Sequence, residues 1–279
     1  MEAPEVQRGI EAGVSSALEL GVQVDDVVVI NNSDRIVIRL LPDTVLARIA
    51  PDAHEASAHF EVQIAKRLEA VRGPIGELAP RVKPQVYRRR RFAITFWRYY
   101  DPHGCPRVSP ADYAQALAEL HLSLRQIDLA TPHFMDRVAG AQREILDEQR
   151  TPSLAAVDRT LLLDTLSRVS DWINQATTNE QLLHGEPHPG NLITTFKGPL
   201  FVDLGECCRG PIEFDIAHAP DEVAEHYRDA NVELVHQCRT LMWALFTTWR
   251  WRRDDQLPNR EHWRKAGLHE VRNSLERYG

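Results

Sequence analysis

The chain has 279 residues, of which 43% are apolar and 26% charged, and its formal net charge is −7. That supplies a core for one large domain or two closely packed lobes, while the acidic balance gives a nucleic-acid partner no global electrostatic support. No run approaches the roughly 20 apolar residues of a membrane-spanning helix, and four cysteines (Cys105, Cys207, Cys208, Cys238) without regular spacing point to a reduced, cytoplasmic setting.

The first 20 residues contain Glu2, Glu5, Glu11 and Glu19 and no apolar run, so no signal peptide is expected. Val6, Ile10, Val14 and Leu18 instead predict a helix over 4–20 that stops at Gly21. Apolar runs at 27–30, 36–38 and 45–49, separated by turn-forming residues at 31–34 and 42–43, predict three strands of an antiparallel meander. A helix is expected over 53–71, with Phe60, Ile64 and Leu68 on one face, then two strands at 86–87 and 92–97 around a turn at 88–91. After Trp97 strand signals nearly vanish. Residues 101–104 read as loop, and Ser109 and Pro110 as the cap and first turn of a helix carrying Tyr113, Leu117, Leu120 and Leu124. Further helical patterns occupy 135–149, 153–177, 220–252 and 259–277. A mostly β portion, 1–97, thus precedes a mostly helical one, 98–279, which is an α+β arrangement in two lobes.

Residues 182–204 form an island of loop and short strand among the helices. The loop offers His184, Glu186 and Asn191; a strand at 192–194, a turn at 197–199 and a strand at 200–202 lead to Asp203. A hairpin of that kind brings Glu186, Asn191 and Asp203 to one end. Phosphoryl transfer needs Mg2+ placed against the phosphates by hard oxygen ligands, and a carboxylate that orients and deprotonates the attacking hydroxyl. Asn191 and Asp203 suit the metal, and Glu186 suits the base. The sequence His184-Gly185-Glu186 also matches the H-x-E of zinc deaminases, but their P-C-x-x-C is absent. His54 and His59, five apart, do not share a helical face as H-E-x-x-H requires. Arg88 to Arg91 read as a solvated hairpin turn, not as a nucleic-acid patch.

The segment His184-Gly185-Glu186-Pro187-His188-Pro189-Gly190-Asn191, with Asp203 beyond it, resembles the aminoglycoside phosphotransferase and choline-kinase-like family, whose catalytic loop reads H-G-D-x-x-x-x-N. The run from Arg209 through Gly210 and Pro211 to Asp215 is similar to that family's continuation. The resemblance is carried most strongly over 182–218, extends over 27–125 and is weak over the last sixty residues. It implies a protein-kinase-like fold with a five-stranded N-lobe sheet and one helix. It implies transfer of the γ-phosphoryl group of ATP or GTP, with Mg2+, to a hydroxyl of a small acceptor, in a monomer or homodimer. Arg48, where the family usually has lysine, would hold the α- and β-phosphates and pair with Glu61. Trp97, Arg98 and Tyr99 would be the hinge that reads the nucleobase, and the 31–34 turn with Ser33 would lie over the phosphates. His184 would brace the loop and Asp215 would anchor it or cap a helix. Trp243 would line an acceptor pocket, and Glu213, Asp221 and Glu222 would suit a cationic acceptor such as an aminoglycoside. Glu186 stands where the family has aspartate. Its extra methylene displaces the carboxylate by about 1.5 Å, a shift that costs about a hundredfold in rate if the backbone does not compensate. A metabolic choline, amino-acid or sugar kinase and a nucleotide-binding pseudoenzyme therefore stay open beside an antibiotic kinase.

Overall fold

The computed structural model describes residues 3–101 and 107–278. The chain starts with helix α1 (Ala3–Glu19) and an antiparallel meander β1 (Val24–Asn32), β2 (Ile36–Pro42) and β3 (Val45–Pro51). Helix α2 (Glu55–Ala70) follows, then β4 (Tyr87–Arg89) and β5 (Phe92–Arg98), which complete a five-stranded sheet of order β1-β2-β3-β5-β4.

Strand periodicity decides what each face of this sheet does. Ile36, Ile38, Leu40, Val45, Ala47 and Ile49 are buried on one face, where α1 packs. The helix comes very close: a Cβ on Gly13 would lie 2.6 Å from Ile49 Cδ1. Val37 and Arg48 pair across β2 and β3 on the opposite face, toward α2. There Glu61 is 3% exposed, although the flanking Val62, Ile64, Ala65 and Leu68 are ordinary core residues.

The helical part holds α3 (Pro110–Leu124), α4 (Phe134–Leu146), α5 (Ala156–Ala176), α6 (Ile212–Ile216), α7 (Asp221–His226), α8 (Val232–Arg250) and α9 (Arg260–Tyr278). Ser109 caps α3 by accepting from Asp112 N at 3.1 Å. Two small antiparallel pairs are set among these helices: β6 (Gln181–Leu183) with β9 (Cys208–Gly210), and, between them in sequence, the hairpin β7 (Leu192–Thr195) with β8 (Gly198–Phe201). The α+β segregation and the five-stranded antiparallel sheet are as expected from the sequence.

Three local expectations are corrected. Asn31 and Asn32 continue β1, so the first turn shrinks to 33–35. Arg88 and Arg89 belong to β4, with left-handed Arg90 at the turn; all four arginines pair with acids of α1 or of the stretch around the start of α2, namely Glu19, Glu11, Glu55 and Asp52. The single helix expected over 220–252 is broken at 227–231, because Asp229 is left-handed (φ 66°) and Asn231 starts a new helix by accepting from Leu234 N. In the loop expected at 101–104, residues 102–104 lie outside the described residues, as does Cys105. Cys207, Cys208 and Cys238 are buried thiols. Among the described residues no helix is long and apolar enough to cross a membrane.

Candidate active site

Strand β6 delivers the chain into the loop His184 to Asn191, and one buried carboxylate shapes its start. Asp215 accepts from His184 N at 2.8 Å, Gly185 N at 2.7 Å and His121 Nε2 at 2.9 Å. The carboxylate can only accept, so His121 carries a proton on Nε2, and Tyr227 Oη lies 2.7 Å from its Nδ1. Burial alone would raise the Asp215 pKa; its hydrogen bonds, led by that from His121, outweigh burial and hold it below the usual value. Gly185 is obligatory: its φ is 90°, and a Cβ there would sit 2.0 Å from Glu206 O.

The remainder of the loop is pinned at several points. His184 donates from Nε2 to Val202 O at 2.9 Å and accepts from Glu186 N at 3.3 Å on Nδ1, and burial pushes its pKa down, so it is a neutral brace. The Tyr113 hydroxyl donates to Pro187 O. Glu186 O accepts from His188 N at 2.8 Å and from Asn191 Nδ2 at 3.0 Å. Asn191 O accepts from Val202 N at 2.9 Å, which places Asn191 and Asp203 at the open end of the β7–β8 pair.

Glu186 is free to act. Its side chain is 42% exposed and has a single ionic neighbour, Arg137 Nη1, at 3.6 Å. The part of the carboxyl that is withdrawn from water pushes its pKa up to about 7, against the Arg137 charge and with the help of Glu206 and Asp203. Arg137 also donates from Nη1 to Gly185 O at 3.1 Å and from Nη2 to Glu206 Oε2 at 2.8 Å, so it ties the loop to the segment after Asp203.

On the sheet side of the cleft, Arg48 pairs with Glu61 and places Nη2 3.0 Å from Asp203 Oδ1. Glu61 Oε1 also accepts from Leu204 N at 3.1 Å. Arg35 adds Nη1 at 3.1 Å from the same Asp203 Oδ1. Burial would raise the Asp203 pKa, but Arg48 and Arg35 bring it down to about 2. Arg35, Arg48, Ala50, Ser57, Glu61 and Thr95 line a recess between the sheet and α2. Among the described residues no three His, Cys, Asp or Glu side chains form a metal cage. The Asp203 carboxylate and the Asn191 amide oxygen are hard donors of the kind that suit Mg2+, an ion that keeps several waters and needs few protein ligands.

Other expected residues fall in varied places. Ser33 sits on the β1–β2 turn and donates to Asp34 Oδ1 at 2.8 Å. Trp97 is buried and donates to Thr95 Oγ1 at 2.9 Å. The amides of Arg98 and Tyr99 donate to Glu77 O (2.8 Å) and Thr44 O (2.9 Å), so neither N–H is open to a nucleobase. Glu213 is buried and accepts from Asn231 N at 3.1 Å. Asp221 is exposed and paired with Arg239, and Glu222 is exposed beside it. Trp243 packs edge-on against Phe246, with ring centroids 5.8 Å apart. Nothing in the sequence singles out Arg35, Arg137 or His121; the only signal is a charged residue bordering a turn, which is too common to weigh.

A family model described as the phosphotransferase enzyme family (APH) matches residues 27–239. No curated protein matches the chain in sequence. Solved structures do. The amicoumacin kinase hAmiN in complex with AMP-PNP, Ca2+ and Ami is 12% identical, with a TM-score of 0.72 over 98% of this chain and 96% of that one. A choline/ethanolamine kinase family protein from Mesorhizobium loti is 14% identical, with a TM-score of 0.66 over 94% of each chain. A thermostable mutant of the aminoglycoside phosphotransferase APH(4)-Ia, in ternary complex with ADP and hygromycin B, is 11% identical, with a TM-score of 0.67 over 95% and 98%. The chain shares the fold of these proteins, and it belongs to the phosphotransferase enzyme family.

Proposed function

We propose that this phosphotransferase moves the γ-phosphoryl group of ATP or GTP onto a hydroxyl of a small, cationic acceptor of the aminoglycoside type, in the cytoplasm. Residues 1–97 hold the nucleotide; residues 98–279 carry the catalytic loop and the acceptor site. The observation that carries this reading is the exposed carboxylate of Glu186 on a loop whose backbone is tied down, with Asn191 and Asp203 at the neighbouring end of the β7–β8 pair; its pKa, raised to about 7, agrees with it. A base poised near neutral pH takes the hydroxyl proton as the oxygen attacks, a contribution of about a hundredfold to ten-thousandfold in rate.

Arg48, fixed by Glu61, offers its guanidinium to the α- and β-phosphates. Asn191 and Asp203 supply the oxygen ligands for Mg2+. When bound, that ion neutralises the charge that develops between the β- and γ-phosphates. His184 and Asp215 keep Glu186 and Asn191 in register and touch no substrate. The acceptor would approach from the end of α8, where Arg250 is near enough to draw the Glu186 pKa down. Beyond it the α8–α9 connection lines an open groove with Asp255, Gln256, Glu261 and His262.

The test is thermal shift with Mg·ATP and Mg·GTP, followed by phosphate transfer against a panel of hydroxylated amines. Transfer abolished in Glu186→Gln with nucleotide binding intact supports the base. A nucleotide shift with no acceptor turned over favours a pseudoenzyme, for which the glutamate at 186 speaks. Turnover of choline or ethanolamine but not of aminoglycosides favours a metabolic kinase. No shift with either nucleotide overturns the reading.

A further inference from the structure

The cleft contains one cation more than the phosphate clamp needs. Arg48 already serves both acids, with one Nη on Glu61 and the other on Asp203. Arg35 reaches the same Asp203 Oδ1 from a different element, the turn between β1 and β2, and lies 3.9 Å from Glu61 Oε2. Its backbone is fixed, because the adjoining Ile36 is fully buried and paired with Ile49. By strand alternation Arg35 points to the same sheet face as Val37 and Arg48, the face that borders the recess. The two arginines are not held alike. Arg48 has 12% of its side chain exposed and is locked by Glu61, whereas Arg35 has 22% exposed and its remaining partner, Asp34 at 3.6 Å, lies at the surface.

Two guanidiniums share one carboxylate oxygen, with the buried acid Glu61 beside them. The nucleotide-binding reading given above adds a strongly anionic polyphosphate and a divalent cation, and the cation claims Asp203. A divalent ion on Asp203 would add positive charge beside the two guanidiniums that share Oδ1, and that repulsion favours release of the less firmly held one. Arg35 is the one whose side chain can swing. We infer that Arg35 is a second phosphate-binding cation: it neutralises Asp203 in the empty enzyme, yields that carboxylate to the metal, and turns onto the β- and γ-phosphate oxygens of the bound nucleoside triphosphate. The metal and Arg35 compete for Asp203, while the nucleotide and Arg35 attract.

Arg35→Gln tests this with two binding measurements of opposite sign. Losing a charge-assisted contact to phosphate weakens ATP, measured by calorimetry in EDTA, by about tenfold or more. Mn2+ alone, followed by its electron paramagnetic resonance signal, binds more tightly to Arg35→Gln than to the wild type because its competitor is gone. Arg35→Lys, which keeps the charge, restores much of the ATP affinity. Arg88→Gln, on the exposed β4 edge, leaves both constants unchanged, and equal melting temperatures exclude misfolding. Unchanged ATP affinity in Arg35→Gln, or ATP and Mn2+ weakening together, overturns the inference and leaves the kinase reading intact. A wild type that binds neither ATP nor Mg·ATP overturns both.

Discussion

Replacing Asp215 by asparagine probes how firmly the loop from His184 to Asn191 is held. The carboxylate is fully buried and accepts three N–H groups, from His184, Gly185 and His121. Asparagine keeps the size and one acceptor oxygen but turns an NH2 group toward donors that have no other partner. A buried donor left unsatisfied costs about 1–3 kcal/mol, and His121 retains its contact with Tyr227. One stranded backbone amide and the loss of charge-assisted bonding together cost about 3 kcal/mol. For a chain of this size that corresponds to roughly 6–12 °C in melting temperature. The assay is circular dichroism melting at pH 7, with Glu222→Gln on exposed α7 as a neutral reference. The sign with pH is also fixed. The folded pKa of Asp215 lies below its ordinary 3.8, so its stabilisation is complete above pH 3.8 and fades as pH falls through the lower folded value. The gap between wild type and variant therefore narrows only in strong acid. A variant that melts within 1 °C of the wild type, a bound set by about 0.3 kcal/mol, refutes the anchoring role.

Two further outcomes concern Glu186. On the proposed role the base must be unprotonated, so kcat/KM falls about tenfold per pH unit below about 7 and is flat above it; Arg137→Gln removes the charge that opposes the rise and moves that limb to higher pH, and an acid limb near pH 4.5 would show that the Glu186 carboxyl is not raised by its surroundings. Glu186→Asp, although it restores the residue more usual in this loop, lowers kcat by about a hundredfold, because the backbone bonds at Glu186 N and O prevent the loop from advancing. Single-turnover phosphate transfer measures it, and a rate equal to the wild type would mean that the loop does advance.

The parts readable from the sequence are those governed by neighbours along the chain. The meander, the Ser109 cap and the meeting of Asn191 with the residue before Asp203 all depend on pairings less than about twenty residues apart. The helix over 220–252 misled because apolar spacing continues across a break set by one left-handed residue, Asp229, whose conformation carries no pattern. The contacts that finish the site span much longer stretches: Arg35 and Asp203 are 168 residues apart, His121 and Asp215 are 94, and Arg137 and Gly185 are 48. Arginines are plentiful on this surface, and only the tertiary fold distinguishes Arg35 and Arg137 from those that lace the β4–β5 hairpin.

The bond from Leu204 N to Glu61 Oε1 makes α2 and the segment after Asp203 a single mechanical unit. Any closing of the cleft must carry the two together or break that bond. The Leu204 amide is accordingly a built-in gauge of helix position: slow hydrogen exchange there reports a seated α2, and fast exchange reports its release, with no label placed on the helix itself.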